Sequence, residues 1–368
     1  MKIGITGADG LIGWHQRAYL KVIGGYEVRL ASRETFKQPE LLTGFADGLD
    51  AIIHLAGMNR GEEVEIEATN VALARDLIAA CDQAGARPFV VYVNSTHQDR
   101  DTAYGRGKRA AANAFRLWTE RNGAGFTNLI LPHVFGEFGK PFYNSVVSTF
   151  CYQLARKEAP HIITDGDLEL LHAQDVTAQC LKAIQENQRG DIRMVGVAMK
   201  VSELLQHLTD MRDCYQAMVM PRFESALDVR LFNTLRSYLF PGHYPVALTL
   251  HSDVRGSLFE VVKSHNGGQV FMSTTHPGII RGNHFHTRKV ERFLVTSGEA
   301  DIRLRKLFSD EVIIFKVRGD TPCYVDIPTF YTHLITNTGQ SELTTLFWAN
   351  EIFDPGDPDT FHELVDAA

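Results

Sequence analysis

Basic residues are outnumbered: 37 Lys and Arg stand against 44 Asp and Glu, a formal net charge of −7. With a pI near 6.1 the chain has no basic field to neutralise phosphates, so nucleic acid is not expected as a partner. Cysteine is scarce. Cys81, Cys151, Cys180, Cys214 and Cys323 are odd in number and far apart, which is neither a disulfide framework nor a C-x-x-C site. No run of about 18 apolar residues occurs, so no helix is expected to span a membrane. The first residues, Met1-Lys2-Ile3-Gly4-Ile5-Thr6-Gly7, enter a strand-like pattern at once, which leaves no room for a signal peptide. No internal repeat or low-complexity tract is visible. The composition is otherwise ordinary, 44% hydrophobic over 368 residues, enough for about two domains at roughly 150 residues each. A soluble, cytoplasmic protein is the expectation.

Residues 1 to about 190 alternate short apolar runs with helical periods. Ile3–Thr6, Glu27–Ala31, Ala51–Leu55, Phe89–Asn94 and Thr127–Leu131 read as buried strands. Between two of them Val71, Ala74, Ile78 and Cys81 form the stripe of a helix packed on a sheet. Such alternation implies parallel strands with right-handed crossovers, a Rossmann-like doubly wound α/β sheet. Further helical stretches follow at Ser202–Thr209 and Phe223–Tyr238, and Phe240-Pro241-Gly242-His243-Tyr244-Pro245 then breaks the pattern. Beyond Val246 short alternating runs (Phe259–Val262, Val270–Thr274, Arg292–Val295, Ala300–Leu304, Glu311–Val317) sit between Gly, Asn, Asp and Pro. That texture is an all-β barrel or sandwich. The expected division is 1–245 and 246–368.

Gly7, Gly10 and Gly13 follow the first strand and open a helix with Leu11 and Ile12. Glycines there let the chain turn tightly, so that bare backbone meets a pyrophosphate at the helix N-terminus. An NAD site places an acid about 20 residues further on. Here that position is Arg33, preceded by Ser32, a cation and a hydroxyl suited to a 2′-phosphate, although Glu34 is adjacent. NADPH is the expected cofactor. Tyr104 and Lys108 are four apart, one turn apart on a helix face. A phenol of pKa about 10 is a poor acid or base at neutral pH, and a neighbouring ammonium lowers that pKa by favouring phenolate, while the same lysine can hold the nicotinamide ribose. Ser95 and Thr96 close the preceding strand, where a hydroxyl reaches a carbonyl oxygen.

These residues resemble the extended short-chain dehydrogenase/reductases that act on nucleotide sugars. The likeness rests on the glycine turn, His54-Leu55-Ala56-Gly57, the Ser95-Thr96 strand end and the Tyr104/Lys108 pair, over residues 1 to about 190. It implies that Thr96, or in the alternative register Ser95, completes a catalytic triad. It also implies that Leu55, Ala56, Gly57 and Asn70 lie on the cofactor side, and that Asn144 and Ser145 line the substrate.

In the second half, Gly282-Asn283-His284-Phe285-His286 is followed by Glu291 and Gly298, then Pro328, His333 and Asn337. Alternate strand residues face one side, so His284 and His286 point together. With Glu291 and His333 they form a set for a divalent first-row metal, zinc or another. This resembles the two-part cupin motif, with one departure: Phe330 stands where Pro-x-Gly usually places glycine. The segments around Arg255 and Arg281 resemble cupin sugar-nucleotide 3-epimerases, in which forked guanidinium donors would grip a diphosphate.

Taken whole, the chain resembles the capsular-polysaccharide enzymes that join these two domains in this order. The resemblance implies a homodimeric, bifunctional enzyme on the route to UDP-N-acetyl-L-fucosamine. Its barrel would epimerise C3 of a UDP-2-acetamido-2,6-dideoxy-4-hexulose, and its reductase would then turn the C4 ketone into a talose-type alcohol. The C3 base has no assignment from the sequence, nor does the role of the metal. A reductase with a passive barrel, a non-catalytic NADPH sensor and an Fe(II) oxygenase are the alternatives.

Overall fold

A computed structural model describes residues 1–254 and 256–366. Arg255, a candidate diphosphate contact, lies outside the described residues. Contacts divide the chain into two compact units, Met1–Lys140 with Thr164–Val201, and Pro141–Ile163 with Ser202–Ala368.

The first unit runs β1 (Lys2–Thr6), α1 (Leu11–Ile23), β2 (Glu27–Ala31), α2 (Arg33–Lys37), α3 (Pro39–Ala46), β3 (Ala51–His54), α4 (Glu63–Gln83), β4 (Phe89–Ser95), α5 (Ala103–Asn122) and β5 (Phe126–Leu131). Its sheet has the order β2-β1-β3-β4-β5 followed by Gly190–Arg193, every neighbouring pair parallel. Side chains of period two sort onto the two faces. Ile52, Val90 and Tyr92 join Phe45, Leu77, Phe115 and Trp118 on one side. Ile3, Ile5, Ile53 and Val91 join Leu129 and Leu181 on the other. Strand order reverses at β1, so the carboxyl ends of β1 and β3 form the crevice in which doubly wound sheets bind ligands.

The second unit holds two five-stranded antiparallel sheets. One has the order Val246–Ala247, Cys323–Ile327, Glu291–Ser297, Leu343–Ala349, Gln269–Thr275. The other runs Val312–Arg318, Glu299–Lys306, Tyr331–Asn337, Ile280–Phe285, Phe361–His362. The expected strand at Phe259–Val262 does not form. Val261 instead gives its carbonyl to the buried Arg292 guanidinium at 3.0 Å.

Helices Val201–Gln216 and Ala226–Leu239 precede the barrel in sequence, and from Ser202 onward they belong to its compact unit rather than ending a domain at 245. A buried polar knot explains this. Arg292 makes two bonds to Asp326 (2.7 and 2.9 Å), and the Tyr215 hydroxyl donates to the same carboxylate while accepting from Tyr244. Arg236 donates to the Ile327 carbonyl, and Asn233 to that of Arg288. Burial raises the Tyr215 phenol well above its ordinary range and Asp326 adds to it, so its proton stays on oxygen. Asp326→Ala would leave Arg292 buried without its counter-charge. The second unit is expected to lose about 3–5 kcal/mol, read from its urea unfolding transition; Ala at the exposed Asp320 is the control.

Candidate active sites

The nucleotide turn closes by Gly10 N–H donating to the Gly7 carbonyl (3.1 Å). Gly7 has φ +67°, and a Cβ there would lie 2.8 Å from the Ala56 nitrogen. At Gly13 a Cβ would lie 2.2 Å from the Gly7 oxygen. The turn is therefore a cradle of bare backbone at the start of α1, and Leu11 and Ile12 are that helix's first two residues. This fits a pyrophosphate.

Thr6, at the end of β1, ties this turn to the next strand. Its hydroxyl oxygen accepts from the Leu55 and Ala56 amides (both 3.1 Å) and lies 2.9 Å from His54 Nδ1. With both lone pairs engaged, the hydroxyl proton goes to His54, whose Nδ1 must then be unprotonated. Burial, with the charge of Lys108 adding to it, pushes His54 down to about 3, which agrees. Asn70 accepts from Met58 N–H (3.2 Å) and donates to the Met58 and Ile66 carbonyls. It clamps the Leu55–Met58 loop from behind, and a Cβ at Gly57 would strike its Oδ1. Beyond β2, Ser32 caps α2 through Thr35, while Arg33 is exposed and Glu34 is turned aside by Lys37 at 2.7 Å.

Tyr104 opens the first turn of α5 and is half-buried, and Lys108 follows one turn later at 5% exposure. Gly105 and Gly107 flank the pair. Cβ atoms there would meet the His97 and Arg100 carbonyls and the backbone of Glu67, so these glycines let α5 lie against its neighbours. Lys108 Nζ donates to the Val93 carbonyl (2.6 Å), and burial lowers its ammonium to about 7. The two triad registers differ in occupation. Ser95 Oγ accepts from His97 N–H as the cap of the short 3-10 turn Thr96–Asp99. Thr96 is half-buried, and among the described residues no partner takes its hydroxyl.

In the barrel, His284, His286, Glu291 and His333 each present a ligand atom within 4.8 Å of the others. His284 is paired across strands with His333 after a bulge at Gly282, where φ is +112°. The strand ends at Phe285, so His286 sits just past it. The His286 ring bonds through Nδ1 to the Asp359 carbonyl, and His333 Nδ1 to that of Tyr331 (3.3 Å). Each Nδ1 is thus the donor, leaving Nε2 with a lone pair. Those lone pairs lie 3.2 and 3.4 Å from the same oxygen of Glu291, and His333 Nε2 is buried without a hydrogen bond. Buried lone pairs converging on a carboxylate oxygen call for a cation, and this donor set fits zinc or another divalent first-row metal. Burial drives His284 down to about 3, favouring the neutral ligand form.

Asp359 was not legible as a site residue. Its carboxylate accepts from the Thr287, Arg288 and Lys289 amides and the Thr287 hydroxyl, locking the loop that carries His286. Phe330, where the cupin pattern has glycine, keeps φ at +62° and donates its N–H to the His286 carbonyl. Arg281 is exposed, with Nε on the Thr275 hydroxyl and Nη2 on the Thr274 carbonyl. Ser145 is buried as the cap of helix Val146–Ala155, and Asn144 before it is exposed; both fall in the second unit.

Residues 3–196 match the NAD dependent epimerase/dehydratase family, and residues 251–361 match the polysaccharide biosynthesis C-terminal domain. The chain belongs to the NAD dependent epimerase/dehydratase family. It is 32% identical over 369 residues to a UDP-2-acetamido-2,6-beta-L-arabino-hexul-4-ose reductase of Pseudomonas aeruginosa, covering 98% of each. Among solved structures, the capsular polysaccharide assembling protein CapF of Staphylococcus aureus matches 99% of this chain and 100% of its own, with 32% identity and a TM-score of 0.65. RMD of P. aeruginosa, solved with NADPH, shares the fold of the first unit's family at 18% identity and a TM-score of 0.55, over 65% of this chain and 97% of its own. Family membership makes a nicotinamide dinucleotide the cofactor of the first unit. Among the described residues no helix is long and apolar enough to cross a membrane.

Proposed function

We propose that this chain is a bifunctional nucleotide-sugar enzyme acting on a UDP-2-acetamido-2,6-dideoxy-4-hexulose. The observation that carries the reading is the presence in one chain of two built sites, the Tyr104/Lys108 pair behind a glycine cradle and the converging His284/His286/Glu291/His333 set. The ketone at C4 acidifies the proton at C3, so a base in the barrel removes it and reprotonation on the other face inverts that carbon. A divalent metal, zinc in this reading, would be held by His284, His286, Glu291 and His333 and would supply positive charge to the barrel site. At the reductase site NADPH supplies the hydride for C4. Tyr104 gives the new alkoxide its proton, Lys108 favours the phenolate left behind, and the Thr96 hydroxyl, or in the alternative register that of Ser95, holds the oxygen. Asn70, Thr6 and His54 shape the cofactor loop without touching the reacting atoms. Arg281 and Arg255 serve the diphosphate, and Asn144 and Ser145 the sugar.

The reading places the enzyme in the cytoplasm, on the route to UDP-N-acetyl-L-fucosamine for capsule or O-antigen polysaccharide. It is a homodimer, which the edge strand Gln269–Thr275 supports by pairing on one side and exposing Val270 and Met272. NADPH is preferred through Arg33 and Ser32, so Arg33→Ala should weaken NADPH at least about tenfold and leave NADH within about twofold. Measured cofactor affinities check this. The activity itself is tested by NADPH oxidation on addition of the UDP-4-keto sugar, with NMR of the product. Loss of the ketone matched to NADPH consumed supports the reading, and no oxidation would end it.

A further inference from the structure

Lys108 is a buried cation, and among the described residues no carboxylate pairs with it. Its ammonium rests instead on the Val93 carbonyl and 4.2 Å above the centre of the Tyr92 ring. A dry ammonium needs such partners, because burial penalises the charge and an aromatic face returns part of what hydration gave. The Tyr92 ring is itself fixed. It is 1% exposed, stacked on His54 with centroids 5.7 Å apart and tilted against Phe115 at 5.5 Å. His54 in turn is held by Thr6, which carries the Leu55 and Ala56 amides beside the nucleotide turn.

We propose that Tyr92 is a positioning residue of the reductase, its ring face holding the Lys108 ammonium in register with Tyr104 and tying that register to the nucleotide loop. This rests on the reading of Tyr104 and Lys108 as the reductase pair. Burial first, and then the charge of Tyr104, raises the Tyr92 phenol well above its ordinary range. Tyr92 therefore stays neutral while its neighbour ionises, and it serves as a wall rather than a second acid. Spacing gives no sign of this, since Tyr92 reads as one of five apolar residues in the buried strand Phe89–Asn94.

The test compares Tyr92→Leu, which keeps apolar bulk and removes the face, with Tyr92→Phe, which keeps the face. Tyr92→Leu is expected to lower kcat for ketone reduction about tenfold and weaken NADPH, followed by its fluorescence, by a similar factor. KM for the UDP-sugar should stay within about twofold. Tyr92→Phe should restore kcat to within about threefold of the parent. In a Lys108→Met background Tyr92→Leu should no longer change NADPH affinity, because the cation it holds is gone. Tyr92→Met replaces the Leu variant if the latter does not fold. Unchanged kcat in Tyr92→Leu, or an equal loss in Tyr92→Phe, overturns the proposal. Full activity in Tyr104→Phe would instead overturn the reductase reading on which it rests.

Discussion

Replacing Tyr104 by Phe is expected to lower kcat for reduction of the 4-ketone by about 10²–10⁴-fold, the range a positioned general acid contributes. NADPH affinity should stay within about threefold, because the glycine cradle and Arg33 are untouched. The asymmetry follows from where the hydroxyl acts: it meets the reacting oxygen and contributes little to the bound dinucleotide. The pH dependence carries its own signature. Burial lowers the Lys108 ammonium to about 7 in the free protein. The cation is present below that pH and lost above it, so kcat/KM for the ketone should fall as pH rises through about 7. Stopped-flow NADPH oxidation across the pH range reads both effects. Thr96→Val should lose most of the activity while Ser95→Ala, which removes an acceptor for the His97 N–H, keeps it.

The second large effect is expected at the barrel. His333→Ala removes a proposed ligand whose ring is fully buried and already aimed by the Tyr331 carbonyl. Metal content should fall from near one per chain to background, and the fall should follow chelation of the parent protein. A site that binds metal only when folded gains stability by mass action, about 4 kcal/mol at a thousandfold excess over Kd. The second unit's thermal midpoint should therefore rise with added zinc in the parent and not in His333→Ala. Tyr104→Phe should behave as the parent in this assay. A midpoint insensitive to both chelator and zinc would contradict the metal assignment.

Local spacing made much of both sites legible. The glycines stand within seven residues of one another, Tyr104 and Lys108 within one helical turn, and His284 and His286 two apart. Long-range partners were not legible, because nothing in the sequence around them marks the contact. Thr6 reaches His54 across 48 residues of chain, and His286 is fixed by Asp359 across 73. Tyr92 and His54 carry apolar-strand patterns that periodicity reads as core, and they are core; their second duty appears only when β4 and β3 lie side by side. The same blindness governed the boundary at 245. The break Phe240–Pro245 is real as a break, yet Tyr215, Asn233 and Arg236 bond to barrel residues 55 to 111 positions away. The resemblance puts Asn70 on the cofactor side, and its amide is fully engaged with Met58 and Ile66, a role that spacing does not reveal.

One chain is expected to do two pieces of chemistry, inversion at C3 in the barrel and reduction at C4 in the nucleotide unit. Proton NMR of the UDP-4-keto-6-deoxy-N-acetyl sugar in D₂O, without NADPH, tests it most directly. Deuterium is expected to enter at C3 with the parent protein and with Tyr104→Phe, and His284→Ala to abolish the exchange. Reduction of the ketone by the parent with NADPH, while C3 never exchanges, would contradict it and leave the barrel a passive partner of a 4-ketoreductase.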